Sequence, residues 1–152
     1  MLRQSLSEAL RQATRDRDER SVKTIRLIMA AIKDRDIAAR TAHAGSDGQT
    51  DDDIRGLLQT MIKQRRESID MYEQGGRLDL AEGEREEIRV IERFLPRQMS
   101  QAEVAEAVDG VIDELGAEGL KDMGKVMAEL RSRYAGSMDF GKAGAVAKQR
   151  LA

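Results

Sequence analysis

The tetrapeptide Asp-apolar-Gly-Lys occurs twice near the end of the chain, as Asp122-Met123-Gly124-Lys125 and as Asp139-Phe140-Gly141-Lys142, each time where an apolar helical pattern begins. Aspartate is a good N-cap acceptor for the open amides of a first helical turn, and an apolar neighbour can anchor that turn to a core. Glycine and lysine are harder to explain by stability. A glycine within a helix costs roughly 1 kcal/mol relative to alanine, and a lysine in the first turn faces the positive end of the helix dipole. Together they offer an uncovered backbone amide beside a cation, which suits phosphate oxygens. The structural alternative is that the glycines let two short helices touch and the lysines are merely solvated.

A second polar feature lies inside an apolar stripe. Arg65 falls between Ile62 and Ile69, and Glu84 falls between Leu80 and Ile88. If the two stretches are helices folded about Gly75-Gly76, Arg65 comes near Glu84 and Glu87. An inward guanidinium needs a carboxylate to offset its desolvation. An ion pair that fixes helix register is the expected role, with a binding pocket as the alternative; Tyr72 and Arg77 at the hairpin tip fit either. Other chemistry is sparse. The one histidine, His43, stands in a small polar stretch, which leaves no metal site and no Ser-His-Asp arrangement. Neither a Gly-x-x-x-x-Gly-Lys-Ser/Thr loop nor a Gly-x-Gly-x-x-Gly turn is present, and no carboxylate pair stands out as an acid/base couple. No catalytic residue and no cofactor are assigned.

The elements that must position these residues are helices. With one proline, no tryptophan, 3% aromatic and 36% charged residues, the composition favours helix over strand, and an all-α fold follows. Apolar spacing gives a first helix through Leu2, Leu6, Ala9, Leu10 and Ala13, and a second through Val22, Ile25, Ile28, Met29, Ile32 and Ile37. Residues 41–50 are small and polar and are expected to form an exposed, mobile loop. Thr50 with Asp51 to Asp53 starts a third helix, carried by Ile54, Leu57, Leu58, Met61, Ile62, Ile69 and Tyr72 until Gly75-Gly76. A fourth runs from about Leu78 to Leu95, and the short Gly-Gly link makes an antiparallel hairpin of the two. Pro96 marks the boundary between an N-terminal helical bundle of about four helices, residues 1–97, and a three-helix tail domain, residues 98–152. Ser100 to Glu103 is a capping box for a fifth helix with Val104, Val108, Val111, Ile112 and Leu115 inside, stopped at Gly116. The repeated tetrapeptides open the last two helices.

Cysteine is absent, which removes disulfides, thiolate nucleophiles and sulfur-ligated metals and fits a cytoplasmic protein. No secretory signal or membrane-spanning run is expected either. The net charge of −2 conceals an uneven distribution. Residues 1–99 balance, with 19 bases and 19 acids. Residues 100–119 hold six acids and no base, whereas residues 120–152 hold seven bases against three acids. A basic end on an acidic protein is where a polyanion would land.

Thr24-Ile25-Arg26-Leu27, Lys63 to Ile69, Tyr72 to Arg77 and the run from Glu84 through Phe94-Leu95-Pro96 together resemble the signature of the YqeY proteins. The second half, with Gly124-Lys125-Val126-Met127 and Gly141-Lys142, is similar to the tail domain of GatB, the B subunit of the glutamine-dependent amidotransferase that converts misacylated Glu-tRNA or Asp-tRNA. The resemblance implies a helical tail that engages tRNA. It also implies the activity attached to the family, carbon-nitrogen ligation with glutamine as amido donor, and partners such as amidotransferase subunits or an aminoacyl-tRNA synthetase. The amidase centre and the ATP-dependent activation domain of the amidotransferase have no counterpart among these residues. RNA binding is therefore the leading expectation, with Gly124, Lys125, Gly141 and Lys142 meeting phosphates and Lys121, Arg131, Arg133 and Lys148 adding attraction. Few aromatics are available for stacking on bases, so recognition would depend on shape and backbone. A role in amide transfer and a protein-protein adaptor are the alternatives.

Overall fold

The computed structural model describes residues 1–152 and is all-helical. Seven α-helices follow in order: α1 (Leu2–Arg15), α2 (Glu19–Ala42), α3 (Asp51–Gln74), α4 (Leu78–Glu92), α5 (Gln101–Leu115), α6 (Met123–Tyr134) and α7 (Phe140–Leu151). They fall into two compact units, Met1–Leu95 and Pro96–Ala152.

In the first unit Leu6, Ile25, Ile28, Ile54, Leu58 and Ile91 are fully buried and bring the four helices around one core. The faces differ in places from the periodic reading. Ile37 is 51% exposed and Leu80 39% exposed, because α2 outlasts the core it packs on and α4 turns Ala81, Glu87, Ile88 and Ile91 inward instead. Helix α4 also stops at Glu92, and residues 93–95 continue as turn, with Phe94 and Leu95 bonding back to Ile91 and Glu92.

Helix α3 begins with a complete capping box: Thr50 accepts from the Asp53 amide, and Asp53 accepts from the Thr50 amide. Ahead of it, α2 extends two residues into the expected loop and the remainder is anchored. Arg3 binds the Asp36 carboxylate through both terminal nitrogens at 2.9 Å, Gln49 donates its amide to Asp36 at 2.7 Å, and Arg3 also donates to the Gln49 carbonyl. These bonds hold the Asp36 carboxyl at about 2, below its ordinary 3.8, with the Arg3 hydrogen bond the largest cause. A depressed carboxyl stabilises the fold above its unfolded value and loses that contribution as pH falls through the folded one. Acidifying from about pH 4 to pH 2 is therefore expected to release residues 43–50, and Asp36→Ala to release them at neutral pH. Hydrogen exchange at the Gln49 amide checks both; protection that survives Asp36→Ala would show that the loop is held by something else.

Three helix ends share one hydrogen-bond pattern, the Schellman motif, which needs a left-handed residue just past the helix. After α3 that residue is Gly76 (φ 73°), after α5 it is Gly116 (φ 61°), and after α1 it is Arg17 (φ 56°). Glycine adopts this conformation freely; an arginine there costs on the order of 1 kcal/mol.

Arg65 and its carboxylates meet across the α3–α4 hairpin. Arg65 Nε lies 3.0 Å from Glu87 Oε2 and 4.0 Å from Glu84 Oε2, with the Arg65 and Glu87 side chains only 14% and 11% exposed. Arg65 Nη1 also donates to the Met61 carbonyl. Burial, then the neighbouring Glu87 charge, pushes the Glu84 carboxyl up, against the opposing pull of Arg65. Arg20 of α2 adds a bond to Glu86 at 3.0 Å and a more distant contact with Glu87 at 3.9 Å. Tyr72 packs partly buried against the core, and Arg77 sits at the start of α4 with its side chain on Asp79.

The second unit closes α5, α6 and α7 around Val108, Val111, Val126, Leu130 and Met138. Ser100 and Glu103 form the expected capping box. Arg97 clamps the same Glu103 through two bonds, and its guanidinium leads the causes that hold that carboxyl at about 2. Leu115, in the last turn of α5, is 44% exposed rather than part of the core.

Candidate nucleic-acid interface

The two copies of Asp-apolar-Gly-Lys are built differently. A 3-10 turn, Leu120–Asp122, runs straight into α6, so helical backbone already precedes Met123. Asp122 does not cap α6: its Oδ2 accepts from the Glu118 amide at 3.0 Å and closes the preceding loop. At the second copy Asp139 is the N-cap, and its Oδ1 accepts from the amides of Gly141 at 3.0 Å and Lys142 at 3.2 Å. The amides expected to meet a phosphate at this helix start are thus already occupied by a carboxylate. A Cβ on Gly141 would stand 3.2 Å from that carboxylate oxygen, so glycine gives the cap room. A Cβ on Gly124 would meet nothing within 4 Å, so close helix packing does not account for it. Asp139→Ala is expected to cost about 1 kcal/mol by urea unfolding, the usual worth of an N-cap. An unchanged midpoint would show that the cap bonds carry no stability.

Helices α6 and α7 run antiparallel. Met127 Cε lies 3.8 Å from where a Gly144 Cβ would be, and the Arg131 guanidinium sits over the Phe140 ring at 5.8 Å, so rising numbers on α6 meet falling numbers on α7. That register separates the two helix starts by roughly 12 Å along the shared axis, at 1.5 Å per residue. The lysines diverge further. Two residues turn a helix by about 200°, so Lys125 points away from the Met127 face that meets α7, Lys142 points away from the Gly144 face that meets α6, and the two lysines project from opposite sides of the α6–α7 pair. One phosphate cannot be held by both.

Ion pairing sorts the remaining cations. Arg133 is taken up by Glu114 and Glu129, and their hydrogen bonds raise its pKa further; Arg97 and Arg150 are paired with Glu103 and Asp109. Arg133 is therefore not a free cation as the sequence suggested. The Glu129 half of its pairing follows i,i+4 spacing and is legible in the sequence, whereas Glu114 comes from another helix. Lys121, Lys125, Lys142 and Lys148 are exposed and in no ion pair, and Arg131 is held only by the Phe140 ring face. No group of three or more His, Cys, Asp or Glu side chains is placed to hold a metal ion, and no helix is long and apolar enough to cross a membrane. His43 is exposed at the end of α2.

Comparison with known proteins adds a family. The chain is 28% identical over 128 residues to altered inheritance of mitochondria protein 41, mitochondrial, of Eremothecium gossypii, covering 82% of this chain and 67% of that protein. It is 30% identical over 115 residues to the protein of the same name in Lachancea thermotolerans, covering 73% of this chain and 58% of that protein. An uncharacterized protein of Schizosaccharomyces pombe is 39% identical over 51 residues, 34% of this chain and 42% of its own. The chain thus spans about two fifths to two thirds of the length of these relatives. The family model of Yqey-like proteins matches residues 3–151, both compact units included, and the chain belongs to that family.

Proposed function

We propose that the protein binds RNA, and tRNA in particular, through the unpaired cations of its second unit. One observation carries the reading: among the eight lysines and arginines of residues 96–152, three arginines are neutralised by carboxylates, while the five cations left over all lie between Lys121 and Lys148. Lys125 and Lys142 meet separate phosphates on either flank of the unit, and Lys121, Arg131 and Lys148 add attraction. The contacts are made by side chains, since the Gly141 and Lys142 amides are already bonded. Phe140 and Tyr134 are the aromatics of this unit and both are partly buried, so the backbone and shape of the RNA are recognised rather than unstacked bases. The likeness to the GatB tail points the same way, and it names amidotransferase subunits or an aminoacyl-tRNA synthetase as the proteins with which such binding would be coupled.

The cysteine-free sequence supports a cytoplasmic setting for this chain, whereas two relatives carry mitochondrial names. The test is binding of the full chain to tRNA across a salt series. A linear fall of log K with log salt, with a slope of several units, supports the reading. Negligible binding at low salt rejects it.

A further inference from the structure

The first unit balances overall, with 18 bases and 19 acids in residues 1–95, but its two hairpins do not. Residues 1–40, which supply α1 and most of α2, hold ten bases against six acids, and residues 41–95 hold eight bases against thirteen acids. The use made of these charges differs as well. On α3 and α4 nearly every arginine is paired: Arg55 with Asp52, Arg65 with Glu87, Arg66 with Glu92, Arg77 with Asp79, Arg85 with Glu73 and Glu82, and Arg89 with Glu82. Of the ten bases in residues 1–40, only Arg3 and Arg20 form ion pairs.

Unpaired cations collect along the groove between α1 and α2. At the turn end of that groove a cleft of about 610 Å³ is lined by Arg17, Lys23 and Arg26 over an aliphatic floor of Val22 and Leu27, with Glu19 its one carboxylate. Further along, a cleft of about 400 Å³ carries Lys33 beside the paired Arg3 and Asp36. From Arg3 to Arg17 the groove extends roughly 20 Å at 1.5 Å per residue, long enough to run beside several consecutive phosphates. Arg17 supplies the most telling detail. It fills the left-handed position that glycine fills in the other two motifs of this kind, at a cost to the fold, and its side chain makes no ion pair and no hydrogen bond; it lines the cleft.

We infer that the α1/α2 groove is a second RNA-binding surface, which takes a phosphodiester backbone on Arg17, Lys23, Arg26 and Lys33. The inference rests on the RNA reading above but on different residues in the other unit. No aromatic side chain lines either cleft, so contact is with phosphate and ribose and is insensitive to base sequence. An acidic protein helix would meet the same charges, and the experiment separates the two.

Three full-length proteins are compared for tRNA binding from 50 to 300 mM salt: the parent, a groove variant (Arg17→Gln, Lys23→Gln, Arg26→Gln) and a tail variant (Lys125→Gln, Lys142→Gln). Three neutralised phosphates each add about 0.9 to the slope, the value for a duplex, so the groove variant should fall by about two to three units of slope and on the order of 100-fold in affinity at 0.1 M salt. Its helicity should be unchanged. Arg17→Gly gives an internal control: it should raise the melting temperature and still weaken tRNA binding, which a purely structural arginine would not do. A groove variant that binds like the parent while the tail variant weakens overturns this inference and leaves the tail reading intact. The converse pattern supports the groove and rejects the tail. A parent that does not bind tRNA overturns both and leaves an acidic protein partner as the occupant of the groove.

Discussion

Replacing Arg65 with alanine is expected to destabilise the first unit by about 3 kcal/mol, the low end for breaking a buried ion pair from one side. The reason is the carboxylate left behind. Glu87 is buried on α4 and takes its closest cation from Arg65, while Arg20 reaches it only at 3.9 Å. Without the guanidinium, Glu87 keeps a buried charge whose nearest remaining cation is the more distant Arg20. Replacing the pair together, Arg65→Met with Glu87→Leu, should recover most of the stability, because no unpaired charge remains. Urea unfolding followed by circular dichroism reads all these variants. An Arg65→Ala cost below about 1 kcal/mol would place this contact with ordinary surface pairs and remove its role in fixing the hairpin.

Changing Lys125 and Lys142 together to glutamine is expected to weaken tRNA binding and to lower the slope of log K against log salt by nearly two units, about 0.9 for each phosphate no longer neutralised. Because the two lysines project from opposite sides of the α6–α7 pair, they reach different phosphates. Each single change should therefore account for about half of the total, as distant sites add independently. Stability should hold or rise slightly, since each substitution removes a cation from a first helical turn. A binding role and a structural role separate on this point: the first weakens affinity and leaves the fold intact. Single effects that sum to more than the double change would mean a shared phosphate. That outcome would contradict the divergence of the two side chains. An unaltered slope in the double variant would remove both lysines from any role in RNA binding.

The helices and the polarity of their ends follow from the chain alone. Apolar residues at three- and four-residue spacing, with almost no aromatics among them, leave helix as the one regular way to bury Ile25, Ile28, Leu58 and Val108. Caps such as Thr50/Asp53 and Ser100/Glu103 act within four residues, so their types alone predict their bonds. The likeness to the YqeY proteins is carried by short motifs of the same local kind. How charges on different helices meet is settled only when the helices pack. Local spacing shows Glu129 beside Arg133, but Glu114 and Asp109 approach their arginines from another helix, and this removes Arg133 and Arg150 from the free cations. In the same way a first half that counts as neutral along the chain becomes a hairpin with paired arginines and another with unpaired cations, because ion pairs depend on distance in space. The repeated Asp-apolar-Gly-Lys shows the same limit. Two strings of one pattern acquire different structures, a capped helix start at Asp139 and a continued turn at Asp122, because Asp122 is held by the Glu118 amide of the preceding loop while Asp139 turns to the amides of its own helix.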